Sequence, residues 1–439
     1  MLNLKDIVAR ISGQLIGNER RLAVTKNVGW MLMDRVFRMG LGVLIVIWMA
    51  RVLGPEQFGQ YNFALSIIGI LAAVTGLGLH NVVVRELVKH PKQANLIMSA
   101  GFLALLLAGL VGMVLTAGVA SLWDTPNLPT YLIAILSLTL LMKSTDIVRS
   151  WFESQVQSRV TVLAENGVFL IMAGLRVYFI MSGMPLIAFV WLLVGEATLL
   201  ALVFLIALWR FAPVRLSVWP KVDDMKPLVK EALPVLIAGL GVIIYMRIDQ
   251  VMLGVMLGQE SVGLYAAAVR ISELWYFVPT AIAASMFPGL VALREAGSVG
   301  YMQNLRKLYR FMWVLSFSAI VFIFGVGEVL VHELYGEAYA NAYPVLLVQI
   351  MGGIFVSLGL ARAKWLMAES LQVYTMVFAC VGAGLNVVLN FYLIPEFGIL
   401  GAAYATVISY AGVVLVVPLA LKATRQNVYT MLWPFDRIR

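Results

Sequence analysis

Apolar runs of about 20 residues recur along the whole chain, and this repetition restricts the available folds more than any other feature. A helix of about 20 residues crosses the ~30 Å hydrocarbon layer of a bilayer. The runs are continuous rather than alternating, which fits helices and excludes a transmembrane barrel. Composition agrees: of 439 residues, 62% are hydrophobic and only 13% charged, against roughly a quarter charged in soluble domains. The net charge of +9 therefore points to basic loops on one membrane face, not to a nucleic-acid partner. Cys380, the single cysteine, excludes a disulfide framework.

About twelve spans are expected, near 28–52, 58–79, 96–121, 129–152, 162–182, 186–209, 231–256, 262–290, 307–331, 342–366, 372–394 and 398–421. Residues 1–27 read as a cytoplasmic amphipathic segment, with Leu4, Ile7, Val8, Ile11 and Leu15 on one side of a helix. Apolar residues become continuous only near Val28, too late for a cleavable signal peptide. Residues 28–209 form one six-helix half and 231–421 the other, joined by a cytoplasmic linker at 210–230 and followed by a cytoplasmic tail at 422–439.

Lysine and arginine concentrate before span 1 and after spans 2, 4, 6, 8 and 12, with Arg362 and Lys364 assigned to the end of span 10. The intervening loops carry Asp124, Glu260, Glu333, Glu337 and Glu396, with Arg51 as the one basic exception. By the positive-inside rule this alternation predicts both termini in the cytoplasm.

The segment from Leu53 to Tyr61 matches the segment from Leu257 to Tyr265: leucine, glycine, glutamate, glycine and tyrosine fall at the same spacing. Each copy joins the first and second spans of its half. Six spans separate the copies, an even number, so the halves share one orientation and are related by an axis along the membrane normal.

No phosphate-binding glycine loop is present, and His332-Glu333 lacks the second histidine of a zinc helix. The three histidines, His80, His90 and His332, are expected in solvated loops. No catalytic residues, metal site or bound cofactor are predicted.

Several motifs in order resemble a known family. They are Arg51-Val52-Leu53-Gly54-Pro55-Glu56-Gln57-Phe58-Gly59-Gln60-Tyr61, Ala232-Leu233-Pro234, Tyr245 to Gly254, Gly263 to Arg270, Phe287-Pro288, and Ile394 to Ala405. In these the chain is similar to the polysaccharide-export flippases of the Wzx type, in the superfamily that also holds multidrug antiporters and the lipid II flippase. The resemblance implies an all-α polytopic membrane protein with two six-helix halves related by a pseudo-two-fold axis and a central cavity. It implies a non-enzymatic flippase for cell-surface polysaccharide such as O-antigen, in the bacterial cytoplasmic (inner) membrane. The implied substrate is an undecaprenyl-diphosphate-type lipid-linked oligosaccharide, carried from inner to outer leaflet by alternating access. Other polysaccharide-assembly membrane proteins are implied partners.

Charges within spans are costly and usually face a cavity or a partner. Arg35, Arg38, Arg270, Lys143 and Arg247 are the candidates for a diphosphate and sugar cavity. The lipid II flippase also carries arginines in its first and eighth spans, which the positions of Arg35, Arg38 and Arg270 resemble. Asp34, Asp146, Glu196, Asp249 and Glu273 are candidates for ion coupling or for charge pairing. Pairing inside one helix is open to Asp34 with Arg38, Lys143 with Asp146, and Arg270 with Glu273, all three or four residues apart. Asp249 has two readings, a proton or sodium carrier and a helix-to-helix pair. Coupling to a proton or sodium gradient, or to the membrane potential, is the expected drive.

Pro279 is expected to kink span 8. Gly239, Gly241 and Gly254 in span 7 allow close helix approach or bending. Two rival functions are weighed. A multidrug antiporter needs an acidic cavity for cationic drugs, whereas these spans are rich in arginine. A membrane glycosyltransferase or polymerase needs a sizeable outer catalytic loop, and the loops here are short.

Overall fold

A computed structural model describes residues 38–118, 128–216, 219–297 and 300–435 in full, and the helical backbone of 4–37 and 119–122. Among the described residues the chain is helical, without a strand. The helices are α1 Leu4–Thr75, α2 Leu79–Lys89, α3 Ala94–Leu122, α4 Thr130–Met142, α5 Ile147–Ser154, α6 Arg159–Met181, α7 Leu186–Phe211, α8 Val222–Met256, α9 Gln259–Trp275, α10 Phe277–Glu295, α11 Gly300–Tyr335, α12 Ala342–Ala368, α13 Val373–Phe397, α14 Ile399–Ala411, α15 Val417–Ala420 and α16 Lys422–Leu432. Residues 1–48 make one compact unit, a stretch of α1 that is helical from Leu4 with no break near residue 27. Residues 49–439 make the other.

Eleven stretches among the described residues are long and apolar enough to cross a membrane. The first, Arg38–Lys89, has 52 residues, or about 78 Å of helix at 1.5 Å per residue. That is more than twice a bilayer core. The excess is resolved at Gly54, where α1 leaves helical geometry at φ 74° and ψ 169°. The stretch thus holds two spans, and the total is twelve.

Gly258, the repeat partner of Gly54, has φ 93° and ψ 177° and separates α8 from α9 in the same way. This region of backbone space is essentially reserved for glycine. The sequence repeat is therefore a structural repeat, one sharp reversal used twice.

Two apolar cores correspond to the two halves. One joins α2, α3, α5 and α7 with the start of α8, around Val83, Met98, Phe152 and Phe204. The other joins α10, α11, α12, α13 and α16, around Leu308, Tyr309, Met312 and Leu358. The C-terminal segment is not a bare tail. α16 docks on α11 through Tyr309 Oη donating to Asn427 Oδ1 at 2.7 Å and Trp313 Nε1 donating to the Met431 carbonyl at 3.0 Å.

The kink in span 8 falls where Pro279 predicts it. Proline has no N–H to give the Trp275 carbonyl, and α9 ends at Trp275 while α10 restarts at Phe277. Two of the three glycines in α8 stand at close approaches. A Cβ on Gly241 would lie 3.2 Å from the Ala379 backbone, and one on Gly254 would lie 2.3 Å from the Phe63 ring. Gly239 faces open space.

Candidate functional site

The repeated loops meet each other. A Cβ on Gly59 would lie 1.7 Å from the Gln259 carbonyl oxygen, and one on Gly263 would lie 1.9 Å from the Pro55 carbonyl oxygen. Pro55 and Gln259 are equivalent positions of the repeat, as are Gly59 and Gly263. The contact is therefore reciprocal, backbone against backbone, and only glycine on both sides permits it. Around this seam Arg51 Nη1 donates to the Glu333 carbonyl at 2.9 Å, and Tyr339 Oη donates to the Ala50 carbonyl at 2.8 Å. Further along the same helices Ser66 Oγ donates to Gln250 Oε1 at 2.9 Å, joining α1 to α8.

Beyond the seam, intramembrane charges divide into neutralised and unneutralised sets. Arg149 of α5 pairs with Glu165 of α6, and Arg176 of α6 pairs with Glu196 of α7. These pairs link neighbouring helices, whereas Lys143 with Asp146 and Arg270 with Glu273 do not form ion pairs within 4 Å among the described residues. Of the two readings open to these residues, within-helix pairing is thus not the one seen.

Arg247 and Arg270 are half-buried. Among the described residues neither has an ion pair or a hydrogen bond, and the charges that act on Arg247 are Glu273 and Arg270. Arg270 also acts on Tyr61 of α1, together with Arg176 and Glu196. Arg270, about two helical turns beyond Gly263, is thus within electrostatic reach of Tyr61 in the other half. Lys143 is not brought to this place. With Asp146, His80 and Ser150 it lines a separate cavity of 260 Å³. The expected solvated histidine is corrected there: His80 Nε2 lies 2.8 Å from Glu153 Oε2, and its Nδ1 lies 2.9 Å from Ser150 Oγ. Arg38 is half-buried in the other compact unit. The side chains of Asp34 and Arg35 lie outside the described residues.

Asp249 is the most enclosed charge, 3% exposed on α8. Tyr265 Oη and Thr406 Oγ1 each donate to its Oδ2 at 2.6 Å, and Asn390 Nδ2 donates to its Oδ1 at 2.6 Å. Asn390 Nδ2 also donates to Asn386 Oδ1 at 3.0 Å, and Gln349 Nε2 to Tyr265 Oη at 2.8 Å. Five helices, α8, α9, α12, α13 and α14, supply this cluster. No basic side chain within 4 Å pairs with Asp249 among the described residues, so the helix-to-helix ion pair does not form. Asn390 Oδ1 is buried without a partner. Beside the cluster is a cavity of 20 Å³ lined by Tyr245, Asp249, Tyr265, Glu273 and Thr406 among others, enough for one water-sized particle. Sequence reading singled out Asp249 but not Thr406 or Gln349. The available signal was Asn386 and Asn390, an i,i+4 polar pair in an otherwise apolar span.

Arg362 departs furthest from expectation. Sequence reading assigned it to the end of span 10 among the cations of the cytoplasmic side, and it is only 6% exposed. The helix continues to Ala368, which draws the residue inside the bundle.

Twelve spans in two repeated halves, with charges buried between helices, define a polytopic α-helical membrane protein. A family model described as Polysaccharide biosynthesis protein matches residues 24–294, and the chain belongs to that family. It is 33% identical over 180 residues to a probable flippase, AglR, of Haloferax volcanii, covering 38% of this chain and 35% of that protein. It is 23% identical over 385 residues to a probable low-salt glycan biosynthesis flippase, Agl15, of the same organism, covering 86% of this chain and 79% of that one. The chain thus spans about a third of the first relative's length and most of the second's. Among solved structures, the lipid II flippase MurJ in an inward closed conformation superposes with a TM-score of 0.75 at 14% identity, covering 91% of this chain and 89% of that one.

Proposed function

We propose that this protein is a flippase that carries an isoprenoid-diphosphate-linked oligosaccharide from the inner to the outer leaflet of a bacterial cytoplasmic membrane. The observation that carries this reading is the pair Arg247 and Arg270, half-buried and without a carboxylate in ion-pair contact among the described residues. The chain holds Arg149 and Arg176 in close ion pairs with carboxylates but not these two, and a membrane cation without a close partner is costly. An anionic substrate removes that cost. Arginine suits a diphosphate, because it stays charged when desolvated and presents a planar fork of donors. A cationic drug would be repelled by the same pair, which disfavours the antiporter.

In this reading the termini lie in the cytoplasm and the Gly59–Gly263 seam on the outer side, which the distribution of basic loops supports. In alternating access the seam is the outer barrier, which parts when the cavity turns outward. Asp249 is the coupling site for a proton or sodium ion in this reading: it is buried without a basic partner, beside a cavity that admits one water-sized particle.

The test is reconstitution in liposomes with a fluorescent undecaprenyl-diphosphate oligosaccharide, read by its exposure to a membrane-impermeant quencher. Protein-dependent movement is expected. Arg270→Ala should slow it at least about tenfold, a loss of roughly 1.4 kcal/mol or more, and Arg270→Lys less, because the charge survives and the fork does not. Efflux of a cationic dye with no movement of the glycolipid would establish the antiporter instead.

A further inference from the structure

The C-terminal half contains a second cavity, of 310 Å³, bordered by α8, α10, α12, α13 and α14. Its walls are almost wholly apolar, among them Val242, Phe355, Leu360 and Leu366. One charged group lines it, Arg362. Below Arg362 the helix after α14 widens into a π-turn at Gly412–Val416. Such a turn leaves carbonyls free of regular helix bonding. Arg362 Nη1 takes two of them, donating to the carbonyls of Val413 at 2.6 Å and Val414 at 3.3 Å. The guanidinium lies over the Phe378 ring, 4.3 Å from its centroid. These contacts fix the group and use one nitrogen. Its Nε is buried with no partner, and no carboxylate pairs with it within 4 Å among the described residues.

Such a site is built for one chemical class. A fixed cation without a counter-charge, at the edge of a dry apolar chamber, favours an anion on a hydrocarbon body. We propose that this cavity binds a single-chain anionic amphiphile, its carboxylate or phosphate on Arg362 and its chain among the apolar walls. A free inorganic anion would gain the charge contact but leave the apolar walls unfilled. A neutral hydrocarbon would fill the walls and leave the arginine unpaired. The volume lies at the low end of small-molecule sites, so the occupant is one chain, not a two-chain phospholipid. The cavity shares Tyr245, Met246, Tyr276 and Tyr410 with the small chamber beside Asp249. An occupant there therefore lies next to the coupling cluster and apart from Arg247 and Arg270, neither of which lines the cavity.

The experiment is photolabelling of the purified full-length protein with three diazirine probes of equal chain length: a fatty acid, a prenyl phosphate and a fatty alcohol. Crosslinked peptides are mapped by mass spectrometry. Both anionic probes should label the wall helices at residues 355–366 and 375–379, at least about tenfold above the alcohol. Labelling by one anion alone would restrict the class to carboxylates or to phosphates. Excess inorganic phosphate should not compete. Arg362→Gln should remove the difference between acid and alcohol. Because Arg362 also clamps the π-turn, Ala363→Phe, which fills the cavity and leaves the arginine in place, should abolish labelling in protein that still elutes as a single species. Equal labelling by acid and alcohol in the wild type, no labelling at all, or undiminished acid labelling in Ala363→Phe would overturn the proposal and leave Arg362 as a clamp on the turn.

Discussion

Gly59→Ala and Gly263→Ala should each abolish glycolipid movement while leaving the protein in the membrane. An added Cβ would stand 1.7 Å from the Gln259 oxygen or 1.9 Å from the Pro55 oxygen, and real Cβ contacts essentially never fall below 3.0 Å. The obstacle in each case is backbone, which cannot rotate away as a side chain can. The two loops must therefore separate by an ångström or more, and the seam cannot form. Each half keeps its own core intact, so folding of the halves is spared. Destabilising the closed seam by only about 1.4 kcal/mol lowers its population tenfold relative to the open form. A transporter that cannot close one barrier cannot cycle. Both substitutions break one interface, so the double variant should be no worse than either single one. Spin labels at Glu56 and Glu260, equivalent and exposed positions, report the outcome in a Cys380→Ser background. The wild type should show a short-distance population that both variants lose. Gly289→Ala is the control, since nothing lies within 4 Å of its added Cβ. Wild-type transport together with a wild-type distance distribution in either seam variant would remove the seam from the mechanism.

The seam also marks how far the sequence could be read. Period and hydrophobicity reveal the spans, because each must cross the same thickness of hydrocarbon. The repeat shows that the two loops are equivalent, since glycine, glutamate and tyrosine recur at the same spacing. That Gly59 and Gly263 touch each other could not be read there, because contact between equivalent loops depends on how the halves close around their axis. Charge partners were legible only within a helix, where spacing is fixed, and in this bundle they form between helices. Arg149 therefore finds Glu165 and Arg176 finds Glu196, while Lys143 and Asp146 do not meet. Arg362 was legible as a residue near the end of span 10, but its burial was not, because hydropathy alone does not tell a buried arginine from one that reaches the interface. Its carbonyl partners come from a π-turn that has no sequence signature.

The repeat does expose one asymmetry, which bears on the second prediction. Asp249 lies eight residues before Leu257, and the residue eight before Leu53 is Ile45. Only one half carries the buried carboxylate, which is what a single coupling site requires. Asp249→Asn should remove the dependence of transport on an ion gradient. The side chain keeps its shape, but the negative charge is lost and an amide N–H now confronts donors. Three groups, Tyr265 Oη, Thr406 Oγ1 and Asn390 Nδ2, all donate to the carboxylate at 2.6 Å. Each buried donor left without an acceptor costs about 1–3 kcal/mol, and membrane hydrogen bonds fall at the lower end. The helices survive that loss, and the ion does not bind. Sodium and proton gradients are imposed separately across the liposomes; one of them should stimulate the wild type at least about tenfold, and neither should stimulate the variant. Binding is read independently by thermal unfolding in detergent. If sodium is the ion, it raises the wild-type midpoint, because a ligand at 100 times its Kd stabilises the folded state by about 2.7 kcal/mol, and it leaves the variant unmoved. Thr406→Val, which removes one donor and keeps the charge, should weaken the response without erasing it. An Asp249→Asn protein that still responds to the gradient as the wild type does would reduce the cluster to a structural knot. A variant whose loss of transport is matched by loss of folded protein would lead to the same conclusion.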